Sequence, residues 1–270
     1  QKYDSEDPQI EILECGTNYV KLAGKEGVSY SLDGENWQTS PQFTGLEIGT
    51  QYTVYAAVLE DRKTNPSKIV SETFTTDKNT VDPPYLEAYG ITSDSFKVLK
   101  QEGVDVWADN AQRTDAGAYW LFSNLQAYTE YKLYAMVLET STNHPSSVTQ
   151  ITVTTSKITD SIITEPVQVF DYTKSAKVPA FSMKSGTSFS SDKFDIKYKK
   201  DGTVFSSAID AGEYTVTISF KDPKYDIEPQ DIRLVINKRS ITVTADDKNT
   251  VYGDKEKALT FSVTSDLQMA

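Results

Sequence analysis

The chain has one cysteine, Cys15, and one histidine, His144, in 270 residues. A lone cysteine excludes an intrachain disulfide. It reads as a small, buried apolar residue rather than as a nucleophile. Zinc sites need several His or Cys ligands, and these are missing. Cys15 and His144 fall in different predicted domains, which removes a Cys–His catalytic pair. The lack of disulfides is compatible with a cytosolic protein, and equally with an exported one whose domains bury enough core to need no staples.

Positive charge is also scarce. Lys and Arg number 27 against 39 Asp and Glu, a formal net charge of −12. Nucleic acid and anionic membrane are both bound by clustered Lys and Arg, so this balance excludes them as partners. No run approaches the roughly 18 apolar residues of a membrane-spanning helix, so no membrane insertion is expected within this chain. Residues Gln1 to Pro8 are polar and lack the apolar stretch of a signal peptide, so either a leader has been removed or the chain is an internal fragment. There is no Gly-x-Ser-x-Gly elbow, phosphate-binding loop or Gly-x-Gly-x-x-Gly fingerprint. Heptads, amphipathic helices and low-complexity tracts are absent too. No catalytic residue, cofactor site or metal site emerges, and the chain reads as a non-enzyme.

What is present is β-forming composition and a repeat. Tyr, Thr and Val are plentiful, and Gly and Pro recur at intervals, as in all-β chains. The length suits two to four domains. The stretch Phe43 to Thr76 recurs without a gap as Phe122 to Thr155, at a fixed offset of 79. Phe43, Leu46, Thr50, Tyr52, Tyr55, Ala56, Val58, Leu59, Glu60, Pro66, Ser67, Thr75 and Thr76 all reappear unchanged. A repeat of this length is a whole small domain, not a solenoid unit. Arrays of such domains serve as spacers or binding modules, whereas catalysis usually needs one unrepeated constellation.

Within the repeat, Gln51 to Glu60 has a period-two pattern with Tyr52, Val54, Ala56 and Val58 on one face. Val28, Tyr30 and Leu32 form an earlier strand ending at Asp33-Gly34, a hairpin signal. Ile69 to Thr75 reads as a last strand. Gly45, Leu46, Gly49 and Tyr52 mark a tight turn into the central strand. The second copy follows the same plan, with three extra residues between Asp109 and Phe122.

Leu46, Gly49, Thr50, Tyr52 and Val54 resemble the Leu-x-Pro-Gly-Thr-x-Tyr-x-Val signature of fibronectin type III domains, over roughly residues 8–156. The wider run from Tyr30 to Glu60 is similar to fibronectin-like repeats of Gram-positive surface proteins. The resemblance implies a sandwich whose Tyr closes a corner by bonding to nearby backbone. Three departures bear on turn geometry: Ile48 where Pro is usual, Tyr128 where Gly is expected, and no early-strand Trp.

Past Ser156 the pattern changes. Asp210 to Tyr214 leads into an alternating strand, Thr215 to Phe220, and Ile232 to Ile236 completes an Ig-like unit. Ile241-Thr242-Val243-Thr244-Ala245, with Tyr252-Gly253-Asp254 and Leu259 to Val263, resembles the MBG-type (mostly-β) repeats of bacterial surface proteins. Phe181-Ser182 and Phe261-Ser262 fall in matching places. The fourth unit stops at Ala270 before a strand of the Asp-Ala-Gly-x-Tyr kind, so the chain reads as cut from a longer protein. The expected domains are 1–78 and 79–157, both fibronectin III-like, 158–238, Ig-like or MBG-type, and 239–270, the truncated start of a further unit. Linkers are placed at Asp77 to Pro84, stiffened by Val81-Asp82-Pro83-Pro84, and at Ser156 to Pro166. The fold class is all-β, with tandem β-sandwich domains in an extended array.

The candidate chemistry is thin. His144 lies in Asn143-His144-Pro145, and its counterpart is Asn65, so the position reads as a turn. Calcium needs only oxygen ligands, and Asp33 with Glu35, or Asp105 with Asp109, could supply some, without EF-hand spacing. If Val104, Val106 and Ala108 face the core, Trp107 points the other way beside Asp105 and Asp109, and Trp120 faces inward with Phe122. Trp37 follows a turn, with its direction open. Trp107 stands where the first copy has Ser31. It reads either as a side chain covered by a neighbouring strand or domain, or as an aromatic platform flanked by carboxylates, making Trp107, Asp105 and Asp109 the candidate ligand contacts.

Taken together, the residues and resemblances imply a spacer or stalk segment of a bacterial cell-surface protein or adhesin, on the cell wall and outside the cell, monomeric, presenting other domains. The alternatives are a module that itself binds a glycan or host protein, or accessory domains of a secreted carbohydrate-active enzyme.

Overall fold

The computed structural model describes residues 2–253 and 255–264, in two compact units, Gln1–Thr155 and Ser156–Ala270. Its described residues form strands, joined by turns and one short 3-10 segment, Ser191–Lys193.

The first unit contains two sandwiches. The first has strands β1 (Ile12–Cys15), β2 (Tyr19–Leu22), β3 (Ser29–Ser31), β4 (Gln42–Thr44), β5 (Gln51–Ala57) and β6 (Val70–Thr75). The second has β7 (Ala88–Tyr89), β8 (Phe96–Leu99), β9 (Val104–Ala108), β10 (Arg113–Asp115), β11 (Tyr119–Phe122), β12 (Glu130–Val137) and β13 (Thr149–Thr154). In the first, β1-β2-β4 form one sheet and β3-β5-β6 the other. In the second, β10-β11-β8-β7 and β13-β12-β9 do the same.

Register shows that the two are the same fold. Val20 lies opposite Phe43, and Phe96 opposite Phe122. Tyr52 pairs with Phe74, and Tyr131 with Val153. Ser31 pairs with Tyr55, and Trp107 with Tyr134. Alternation sends Val54 and Ala56 inward with Val20, Leu22 and Tyr30, and sends Leu133 and Ala135 inward with Phe96, Val98 and Val106. The three extra residues of the second copy lie in the segment that forms β10. The first copy has only a Tyr30–Gln38 bridge in this region.

Asp33-Gly34 does not make the two-residue hairpin expected from sequence. The chain reverses over a longer loop tied down by Asp33, whose Oδ1 accepts from the Glu35 and Asn36 amides and from the Ser31 hydroxyl. The Asn36 side chain donates to its other oxygen. Gly34 supplies the positive φ of 77° that the loop requires.

The recurring polar residues hold the corners. The Glu47 amide donates to Tyr52 Oη, and the Gln126 amide to Tyr131 Oη, each at 2.9 Å. Thr76 Oγ1 accepts from the Thr50 amide and donates to the Glu47 carbonyl, and Thr155 does the same with Thr129 and Gln126. Ser67 and Ser146 accept from the amides of Val58 and Val137. Most of the polar identities between the copies are therefore hydrogen bonds that close the sandwich.

The segment leading into each sandwich is latched to the loop after its central strand. Lys2 pairs with Glu60, and Lys78 with Glu139. The Asn65 amide donates to the Tyr3 carbonyl, and the His144 amide to the Asn79 carbonyl, each at 2.8 Å. In the second copy this leading segment is the chain arriving from β6, so the junction is hydrogen-bonded. Gly49 sits against it with φ +62°, and a Cβ there would lie 2.1 Å from the Ser141 carbonyl oxygen. Tyr128, at the matching position, also adopts positive φ.

The second unit is built on a five-stranded sheet of order β16-β22-β20-β18-β19: β16 (Val167–Asp171), β18 (Phe194–Lys200), β19 (Thr203–Phe205), β20 (Gly212–Phe220) and β22 (Gln230–Asn237). β16 runs parallel to β22, and the other pairs are antiparallel. Tyr214, Val216 and Ile218 on β20 and Ile232, Leu234 and Ile236 on β22 bury one face. Two-stranded pairs complete the unit: β14 (Ile158–Thr159) with β21 (Tyr225–Asp226), β15 (Ile162–Ile163) with β17 (Ser182–Met183), and β23 (Thr242–Ala245) with β24 (Phe261–Thr264).

The stretch Ser156 to Pro166 is therefore not a linker. Ile158 and Thr159 are hydrogen-bonded in a parallel pair and Ile162 is buried in the core, because its Ile-rich segment has an apolar face to cover. Asp254 of the Tyr252-Gly253-Asp254 turn, and residues 265–270 at the end of the expected fourth unit, lie outside the described residues.

Candidate functional site

Alternation along β9 puts Val104, Val106 and Ala108 against the core and turns Asp105 and Trp107 to the outer side. Tyr134 on β12 lies directly opposite Trp107, and residues directly opposite in a ladder share a face. Their rings stack with centroids 5.5 Å apart and planes 15° from parallel. The Tyr134 hydroxyl donates to Asp109 Oδ2 at 2.9 Å, which holds its proton and raises its pKa. The structure thus brings Trp107 and Asp109 together around Tyr134, with Trp107 half-buried rather than fully exposed.

Asp105 is engaged elsewhere. It accepts from Arg113 Nη2 at 2.7 Å. Arg113 in turn lies over the Trp120 ring, its Cζ 4.2 Å from the centroid, and Lys100 Nζ approaches the same ring to 4.3 Å. Lys100 also pairs with Asp115, whose carboxyl this bond lowers. Arg113 Nη1 is buried and has no hydrogen-bond partner among the described residues. Trp120 packs at the edge of the core, as its spacing from Phe122 implies. The inference from sequence missed Tyr134, because Tyr55 recurs there and the position looked architectural. It also missed Arg113, which the three-residue insertion brings onto β10. At the position of Trp107 the first copy has Ser31, which is fully buried and hydrogen-bonded to Asp33.

The remaining candidates have structural partners. The backbone amide of His144 ties the junction, the same role that Asn65 plays in the first copy. Cys15 donates to the Thr75 carbonyl at 3.2 Å, and partial burial, with the Asp77 charge, pushes its thiol pKa up. Trp37 is half-buried and donates from Nε1 to the Gly34 carbonyl. Asp33 is committed to its loop. Among the described residues, no three or more His, Cys, Asp or Glu side chains gather closely enough to hold a metal ion. No helix among them is long and apolar enough to cross a membrane.

No protein-family model matches this chain, and no curated protein matches it. Among solved structures, it is similar to a two-domain fibronectin type III segment from chicken tenascin, with 13% identity and a TM-score of 0.32, covering 55% of this chain and 99% of that one. The chain is an all-β protein of tandem β-sandwich domains.

Proposed function

We propose that this chain is a non-catalytic structural segment of a bacterial cell-surface protein, in which fibronectin III-like sandwiches are followed by MBG-type Ig-like units that extend and present other domains outside the cell. The observation carrying this reading is the repeated latch. The same Lys–Glu pair and backbone bonds recur at the head of both sandwiches, Lys2 with Glu60 and Lys78 with Glu139. A connection held this way transmits orientation from one domain to the next, which a presenting segment needs and a free linker does not supply.

The test has two arms. Antibodies raised against this chain should label intact cells of the source organism, and labelling only after permeabilisation overturns the surface assignment. Replacing the segment in its parent protein with unrelated tandem sandwiches of equal length should preserve the function of the presented domains. Loss of function on that swap would mean that the segment itself engages a partner.

A second reading, ligand binding through Trp107, is favoured by one observation: a Trp–Tyr stack stands on the outer face where the first copy has a buried serine. Trp107→Ala is then expected to destabilise by about 1 kcal/mol, well short of the 3–5 kcal/mol of a core aromatic, while abolishing any binding to this face. A loss on the core scale in thermal or denaturant unfolding assigns Trp107 to packing alone.

A further inference from the structure

The two sandwiches share one backbone, so differences between them at matched outward positions show what the fold does not require. On the sheet β10-β11-β8-β7 these differences are concentrated. The pair Ala88–Val98 corresponds to Ile12–Leu22, and Phe96–Phe122 to Val20–Phe43, which sets the equivalence. At the outward positions Tyr85 stands for Gln9, Tyr89 for Leu13, Leu99 for Ala23 and Tyr119 for Ser40. The second sandwich has thus exchanged a glutamine, a leucine, an alanine and a serine for three tyrosines and a leucine, which adds three aromatic rings to this face.

Tyr85, Tyr89 and Leu99 are part of a dish, and Tyr119 stands behind Tyr89. A cavity of about 670 Å³ is lined by Tyr85, Glu87, Tyr89, Val98, Leu99 and Gln101. That volume falls within the roughly 300–1,000 Å³ of small-ligand sites. Tyr85 is 73% exposed and Tyr89 40%, unusual for large rings on a folded domain. They are also held in place. The Tyr85 hydroxyl donates to Glu87 at 3.1 Å, Gln101 donates from its amide to the Tyr85 carbonyl at 2.7 Å, and Tyr89 meets the Tyr119 ring edge-on at 6.3 Å. Lys97 covers Tyr119 at 4.6 Å. The matching cavity of the first sandwich is lined instead by Glu6, Asp7, Gln9, Glu11 and Lys25, among others.

We propose that this dish binds a neutral oligosaccharide, with Tyr85 and Tyr89 as stacking surfaces and Glu87 and Gln101 as hydrogen-bonding groups. Pyranose rings offer C–H faces that pack on the negative face of an aromatic ring, and a rim of hydroxyls that both donate and accept. Interleaved rings, carboxylate and amide match that surface. A protein partner fits less well, since a specific interface takes about 20–30 residues a side and six line the dish. Strand addition is disfavoured because β7, at the sheet edge, spans only Ala88–Tyr89. Glu87 within the dish and the net charge of −12 select against uronic or sialylated sugars. The site goes beyond the presenting role and does not depend on it.

The test is calorimetric titration of the full chain with cello-, xylo-, manno-, malto-, chito- and laminari-hexaose. At least one should bind saturably, with a dissociation constant on the order of 0.1 mM, as a shallow site with few stacked rings allows. The double substitution Tyr85→Gln and Tyr89→Leu, which installs residues the first sandwich already accommodates, should weaken that binding about tenfold or more and leave the melting temperature unchanged. Trp107→Ala should leave the binding intact. The proposal is overturned if none of the six sugars binds at millimolar concentration, if the double variant binds as well as wild type, or if binding is lost in Trp107→Ala instead. Concentration-dependent self-association removed by the double variant would assign the face to a second copy of the chain, and would equally overturn it.

Discussion

Thr76 and Thr155 carry more of the architecture than their size suggests. Each is nearly fully buried, and each hydroxyl accepts from one backbone amide and donates to a carbonyl. Thr155→Val keeps the volume but leaves the Thr129 amide and Gln126 carbonyl without this partner, which costs about 1–3 kcal/mol when such groups stay buried. Chemical denaturation of the variant should show that loss, and an unchanged midpoint would mean that water replaces the hydroxyl. Asp33 gives a pH-dependent counterpart. Its bonds to Asn36, Glu35 and Ser31 stabilise the ionised form and hold its carboxyl far below the usual range. Its contribution is thus fully present above the unfolded-state pKa, near about 4, and is lost as pH falls from there toward the folded-state value. Asp33→Asn should melt below wild type at neutral pH, and the gap should narrow steadily as the pH is taken from 5 to 2.

At the scale of elements, the junction turn and its matched partner separate two reasons for glycine. Gly49 and Tyr128 both have positive φ, so backbone conformation alone does not demand glycine. The Ser141 carbonyl does, because it lies where a Cβ would go at position 49. Gly49→Ala is expected to cost more than the about 1–2 kcal/mol of a left-handed alanine, since the latched loop must also retreat. Tyr128→Gly should change stability by less than about 1 kcal/mol, as relief of the strained backbone is offset by a freer unfolded chain. Melting curves of the two variants check the contrast, and equal effects would remove the junction contact as the cause. β10 makes a related point: the three-residue insertion brings Arg113 to Trp120 and Asp105, so one short change in length rebuilds the edge of the sandwich.

For the whole molecule, charge sets a boundary on partners. With a net charge of −12, the protein should neither shift duplex DNA in a gel nor co-sediment with anionic vesicles at about 50 mM salt, where attraction to a basic surface would be strongest. Binding to either would require a concentrated basic patch that overrides the net field. The candidate sites lie within one sandwich, on opposite sheets: Trp107 with Tyr134 on one face, Tyr85 and Tyr89 on the other. Loss of each can therefore be measured independently.

The all-β class and the equivalence of the copies were legible in the residues alone, and the sandwich with its corner tyrosines in the resemblance those residues carry. Period-two burial and turn chemistry are local, and an ungapped repeat of Tyr52, Thr50 and Thr76 leaves little freedom in register. The outward direction of Trp107 followed from the same alternation. Four features depended on how strands pair rather than on the spacing within one strand. Tyr134 became the partner of Trp107 only through β12 pairing with β9, and Arg113 met Asp105 only through the edge rebuilt by β10. Ile158 and Thr159 proved part of a sheet because Tyr225 and Asp226, far along the chain, lie beside them. The tyrosine dish is not legible locally because its residues come from β7, β8 and the segments flanking them, where each tyrosine alone looks like an ordinary exposed side chain. Local spacing determines which face a residue takes, while strand order decides which residues share that face, since neighbours across a sheet are set by the paths of the connections between strands.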